Sequence, residues 1–186
     1  MSVILTYYGK SFDPFCAAPA DIDARDIAHA LSMICRANGH IGIFYSVAQH
    51  SLNCLIEAKA RGYSLRTQRF CLLHDASESY LSDLTRPVKE HFPLYYEAEA
   101  RLQKVIFEAL GAGEPSERER AEVGEIDDCL LAQEFLRLRG VRLFGETPAL
   151  LGCCDFESHP PAEMERRFLE ELRRLGTARD EGAGTV

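Results

Sequence analysis

The chain has 186 residues, 46% hydrophobic and 27% charged, which suits one soluble domain, expected over residues 1–175, with a tail from 176 to 186. Its formal net charge of −8 argues against DNA or RNA polymers as ligands, because polymer binding draws mostly on phosphate neutralisation by Lys and Arg; a small phosphorylated molecule needs only a few cations in a pocket. The start, Met1 to Tyr8, has neither a basic region nor a sustained apolar run, and no later segment approaches the roughly 20 apolar residues of a membrane span, so a cytoplasmic protein without a membrane partner is expected. Seven cysteines, an odd number, fit reduced thiols better than a disulfide scaffold.

Along the chain, residues 3–20 mix β-branched and aromatic residues with Gly9, Pro14 and Pro19, the pattern of a short strand or hairpin followed by loop. Asp23 or Asp26 caps a first helix through Ile27 to Arg36, which Asn38-Gly39 ends. Ser46 caps a second, carrying His50 and ending at Arg61-Gly62. Ser64 opens a third, which carries His74-Asp75 and ends before Asp83. Pro87 fits only the first turn of a new helix. A long amphipathic helix runs from about Leu94 to Leu110; its apolar face suits a core or the interface of a homodimer or higher homo-oligomer. Ser116 and Glu119 have capping-box spacing and start a helix that carries Asp127 to about Leu138. From Gly140 to His159 the chain reads as a lid or a packed loop, and a last helix spans about Pro161 to Leu175. The expected fold is therefore an all-α bundle of six to seven helices with a short N-terminal β-hairpin.

Three of these helices carry polar residues on their apolar stripes. Val47, His50 and Cys54 share one face by their spacing; so do Thr67, Cys71, His74 and Glu78, and likewise Val123, Asp127, Leu130 and Glu134. Buried imidazoles and carboxylates are costly unless paired, and two histidines and two aspartates brought together offset that cost most simply by holding a divalent cation. His50, His74, Asp75 and Asp127 are the candidate ligands. Consecutive helical residues point about 100° apart, so His74 and Asp75 reach one ion only near a helix end or close to the backbone. Nitrogen-plus-oxygen ligation fits one ion of Mn, Fe, Co, Ni or Zn, and water in the open positions would have a lowered pKa. Glu78, one turn beyond His74, is placed for proton transfer, and Asp83 for orienting the nucleophile or a sugar hydroxyl. Arg36 and Lys89 are the candidates for phosphate oxygens. Asp128 falls off the stripe and is expected in solvent. His29, His40, His91 and His159 read as structural or surface residues, with His40 close enough in sequence to His50 to line a pocket.

The series His50, His74-Asp75, Asp127 resembles the H…HD…D signature of the HD-domain phosphohydrolase superfamily. The surrounding text extends the likeness: Asp26-Ile27-Ala28-His29-Ala30-Leu31-Ser32 with Ile34-Cys35-Arg36, Tyr45-Ser46-Val47-Ala48-Gln49-His50-Ser51, and Leu72-Leu73-His74-Asp75-Ala76-Ser77-Glu78-Ser79-Tyr80-Leu81-Ser82-Asp83-Leu84 with Arg86-Pro87-Val88-Lys89. These are similar to a bacterial and phage branch that includes 5′-deoxyribonucleotidases acting on nucleoside monophosphates. The resemblance covers roughly Tyr8 to Leu138. It implies an all-helical domain, one divalent ion on the four ligands, and Glu78 and Asp83 as acid/base and positioning carboxylates. Lys89 resembles a phosphate-binding lysine after the same proline in phage dATP triphosphohydrolases. The chain departs from some relatives in having no tryptophan to pack on the base beside Arg36, where Ala37-Asn38 stand instead.

The expected function is hydrolysis of small nucleotides: a 5′-(deoxy)ribonucleoside monophosphate to nucleoside and phosphate, or alternatively a dNTP to nucleoside and triphosphate. A two-metal oxygenase would need further histidines, of which His91 is the one plausible candidate. A non-catalytic nucleotide-binding HD domain would have no need of Glu78.

Overall fold

A computed structural model describes residues 3–177. Two short strands, β1 (Ile4–Leu5) and β2 (Ser11–Phe12), form an antiparallel hairpin pairing Ile4 with Phe12 and Leu5 with Ser11. Eight helices follow: α1 (Ala24–Met33), α2 (Val47–Ala60), α3 (Leu65–Leu73), the one-turn α4 (Glu78–Leu81) and α5 (Arg86–Lys89), α6 (Pro93–Ala109), α7 (Glu117–Arg139) and α8 (Pro161–Thr177). The architecture is the expected all-α bundle with a two-stranded hairpin. No helix among the described residues is long and apolar enough to cross a membrane. Residues 178–186, most of the expected tail, lie outside the described residues, and α8 runs two residues past its expected end.

Helix α2 is the centre of the bundle. It packs against α1, α3, α7 and α8, and residues 47 to 55 are all buried. A helix surrounded on all sides has no face on which to leave polar residues in water. The hairpin is tied to this core by Phe12, whose buried ring stacks on Tyr80 at 4.0 Å.

Two breaks in the expected helices matter for the site. Helix α1 stops at Met33, three residues before Arg36. Ile34 and Cys35 turn extended, Cys35 bridges Ser46, and the Arg36 amide donates to the Tyr45 carbonyl at 2.8 Å. Arg36–Gly39 then forms a tight turn with Ala37 and Asn38 at φ of 54° and 51°. The apolar Ile34-Cys35 pair continues a helical pattern in sequence, yet its backbone pairs with the approach to α2. Helix α3 likewise stops at Leu73, before His74-Asp75, and the chain tightens into i→i+3 bonds, from Ala76 to Leu73 and from Glu78 to Asp75. Gln103 of α6 satisfies the backbone groups this break exposes: its amide donates to the Leu73 carbonyl at 2.6 Å and its oxygen accepts from the Ser77 amide at 3.0 Å.

The segment after α7 is a packed loop over much of its length. Gln49, Asn53 and Glu57 form a polar stripe along α2, and each meets loop backbone. Gln49 donates to the carbonyls of Asp155 and Glu157, Asn53 exchanges hydrogen bonds with Asp155, and the Glu57 carboxylate accepts from the amides of Leu151 and Gly152 and from Arg61. The approach is close at Gly152, where a Cβ would stand 2.9 Å from Ile56 Cγ2 and 3.1 Å from the Ile56 carbonyl oxygen.

Burial alone would raise the Glu57 carboxyl, but the Arg61 guanidinium and the two amides outweigh it and hold the group below the ordinary carboxylate range. Because the folded value lies below the unfolded one, this stabilisation is complete above the unfolded pKa and is lost as the pH falls through the folded one. Glu57→Ala, which leaves two loop amides and the Arg61 Nε without their acceptor, is expected to cost about 2–4 kcal/mol in urea unfolding at neutral pH. The difference from wild type should shrink as the titration is repeated at more acid pH.

Candidate functional site

His50 and Asp127 come from the facing helices α2 and α7, and His74 and Asp75 from the broken end of α3. His50 is fully buried, and its Nε2 lies 3.2 Å from His74 Nε2, 3.1 Å from Asp127 Oδ1 and 3.7 Å from Asp75 Oδ2. His74 Nε2 lies 3.2 Å from Asp75 Oδ2 and 3.9 Å from Asp127 Oδ1. Donor atoms about 2.0–2.2 Å from one cation stand about 3 Å apart at octahedral cis positions and about 3.5 Å apart in a tetrahedron, and the three shorter separations here fall in that range.

The far side of each imidazole settles its tautomer. His50 Nδ1 is 2.6 Å from Glu134 Oε1 and His74 Nδ1 is 2.9 Å from the Cys71 carbonyl oxygen. A carbonyl or an ionised carboxylate only accepts, so each Nδ1 carries the hydrogen and each Nε2 can turn a lone pair to the cluster. Cys54, one turn after His50, brings its Sγ to 3.5 Å from His50 Nε2, and the donor atoms of His50, Cys54 and His74 all lie within 4.8 Å of one another. This buried His/Cys/His cluster with its flanking carboxylates is a metal-binding arrangement. Burial pushes the Cys54 thiol up to about 11, which leaves nitrogen and carboxylate oxygen as the readier donors.

The carboxylates are ionised by their neighbours. Burial would raise Asp75 and Asp127; His74 next to Asp75, and His50 with Arg36 next to Asp127, hold both well below the usual range. His50 feels the reverse field. Burial and Arg36 would lower it, whereas Cys54, Glu134 and Asp127 outweigh them and leave it well above the usual imidazole value.

Arg36 reaches the cluster because the chain leaves α1 early. Its guanidinium contacts Asp75 and Asp127 at 3.2 Å each and Glu134 at 3.4 Å. Expected as a phosphate ligand, it here neutralises three carboxylates while also lining a cavity of about 560 Å³. Lys89 lines the same cavity, with Nζ 3.2 Å from Glu78 and 2.6 Å from Glu99. Glu78 is buried, and its second oxygen, Oε2, has no hydrogen-bond partner. Burial, reinforced by Asp75 and Asp83, pushes its carboxyl well above the ordinary range in spite of Lys89 and Arg36. Asp83 also borders the cavity, and its Oδ2 accepts from the Ala37 amide at 3.0 Å, fixing the turn that presents Arg36.

Two contributors lay unassigned in the sequence. Glu134 follows Asp127 by seven residues on the same stripe, a spacing that was the available signal. Arg86, on the cavity wall beside Pro87, has Nη2 3.5 Å from Asp127 and 2.8 Å from Asp128, so Asp128 is ion-paired as well as exposed. His29 and His159 are engaged elsewhere, with Glu165 and Asp155, and neither His40 nor His91 borders the cavity or belongs to the cluster.

No family profile matches the chain. It is 40% identical over 114 residues to uncharacterized protein YfdR of Escherichia coli (strain K12), a match covering 60% of this chain and 60% of that one. It is 32% identical over 175 residues to uncharacterized protein RCAP_rcc00048 of Rhodobacter capsulatus, a match covering 86% of this chain and 88% of the relative.

Because Glu134 fixes the His50 ring, Glu134→Gln is expected to weaken binding of a divalent ion about ten- to a hundredfold. Competition against a chromophoric chelator measures this; unchanged affinity would remove Glu134 from the centre.

Proposed function

The chain belongs to the same family as the Rhodobacter capsulatus protein, and from its own site geometry we propose that it is a metal-dependent phosphohydrolase of HD type acting on small nucleotides, with 5′-nucleoside monophosphates as the first choice of substrate. The observation that carries this reading is the convergence of His50, His74, Asp75 and Asp127 donor atoms, 3.1 to 3.9 Å apart in the measured pairs, beside a buried Glu78 with one oxygen unpartnered and its carboxyl raised well above the ordinary range. A divalent ion of Mn, Co, Zn, Fe or Ni on those four groups supplies positive charge for the phosphoryl oxygens and a water of lowered pKa.

The remaining roles belong to the chain. Lys89 and Arg36 hold the phosphate oxygens and fix the phosphorus for in-line attack by water. As the water oxygen bonds to phosphorus, the bond from phosphorus to the ester oxygen breaks; Glu78 gives its proton to that departing oxygen, which leaves as the nucleoside hydroxyl, the water's protons stay with the phosphate, and Glu78 regains a proton from solvent after product release. Asp83 keeps Arg36 in position through the Ala37 amide. A cavity of about 560 Å³ suits a ligand of nucleotide size. One observation favours the second reading, a dNTP triphosphohydrolase: Arg86 adds a third cation to the cavity wall.

The test is the purified protein with Mn, Co or Mg against a panel of dNMPs and dNTPs, assayed for phosphate and for triphosphate. Release of neither from any substrate defeats the proposal. Asp75→Ala should lose both bound metal and turnover. Glu78→Gln should keep its metal while kcat falls about 10²- to 10⁴-fold; a non-catalytic binder would have no turnover to lose.

A further inference from the structure

The cavity changes chemistry along its length. Asp127, Leu131 and Phe135 line it at i, i+4 and i+8 of α7, and at 1.5 Å per residue Phe135 stands about 12 Å along the axis from Asp127. At the Asp127 end gather Asp75, Arg36 and Glu78. At the other end α7 stops on Gly140 in the left-handed conformation, and the Val141 amide donates back to the Phe135 carbonyl at 3.2 Å. The chain that follows returns Leu143 and Phe144 to the cavity wall, and α6 adds Tyr96. Phe144 is 48% exposed, so its ring is open to a ligand in the cavity, whereas Tyr96 lies one helical turn before Glu99, on the Lys89 side.

We propose that this apolar end is a subsite for the heteroaromatic ring of the substrate, walled by Leu131, Phe135, Leu143 and Phe144. The inference rests on the phosphohydrolase reading and deepens it. Charge complementarity commits the occupant: the cations at one end take the phosphate, so the ring is the part of the same molecule that extends toward Phe135, with the sugar between. Aromatic walls favour a flat π-system over an alkyl chain. Ala37, beside Arg36, has no ring to offer, so the stacking surface comes from the segment after α7. The four walling side chains have no hydrogen-bonding atoms. The ring is therefore held by stacking and its edge is left unread, which predicts broad base tolerance with purines ahead of pyrimidines through stacked area alone.

The experiment compares wild type and Phe144→Ala on deoxyadenosine 5′-monophosphate and on 2-deoxyribose 5-phosphate, which lacks the ring. Wild type should prefer the nucleotide in kcat/KM, and Phe144→Ala should reduce that preference about ten- to a hundredfold, chiefly through KM. A preference unchanged in the variant, or a wild type that hydrolyses both equally, overturns the subsite. An equal gain from an alkyl phosphate such as hexyl phosphate overturns the ring as its occupant. If wild type hydrolyses nothing, the phosphohydrolase reading fails, and calorimetric binding of the same two probes still decides the subsite: it stands if the nucleotide binds more tightly and Phe144→Ala removes the difference, and falls otherwise.

Discussion

The structure depends on how one helix, α2, buried along most of its length, disposes of its polar side chains. A polar group inside a protein must find a partner or pay a penalty comparable to the whole margin of stability. On one side of α2, Gln49, Asn53 and Glu57 are satisfied by backbone of the loop after α7, which is why a stretch of some twenty residues without helix lies packed against the core. On another side, His50 is satisfied by Glu134 at Nδ1 and by the His74, Asp75 and Asp127 cluster at Nε2. The same requirement thus builds the scaffold and the site.

Charge is concentrated in that site. Asp75, Asp127 and Glu134 share Arg36, while Glu78 shares Lys89 with Glu99. Carboxylates outnumber the cations that touch them, a surplus that a divalent ion would relieve. Arg36 and Lys89 balance the protein's own carboxylates, and those contacts hold both side chains at the cavity wall. Glu78 stands apart: one of its oxygens is unpartnered, and burial beside Asp75 and Asp83 raises its carboxyl well above the ordinary range.

Most of the architecture was readable in the chain. Ser46, Ser64 and Ser116 cap the helices expected of them, and Gly140 ends α7 in the left-handed conformation. Apolar spacing placed His50, Asp127 and Glu134 on inward faces because helical periodicity is local. Where periodicity misled, the cause was tertiary. Ile34 and Cys35 fit a helix but pair with the entry to α2, and the third helix breaks before His74 because Gln103, distant in sequence, satisfies the broken backbone. Arg86 gave no signal, since an arginine before a proline is as often solvated as it is part of a wall.

The sequence by itself determined the helical elements, the inward direction of the two histidines and Asp127, and the candidate cation-binding set, because helix periodicity and the cost of burying unpaired polar groups act on neighbours along the chain. Only the tertiary structure decided that Glu134 orients His50, that Arg36 neutralises three carboxylates, and that the loop after α7 packs on α2 while returning Phe144 to the cavity. Those facts join residues separated by dozens of positions, and such distances are set by the packing of whole helices, which no local spacing encodes.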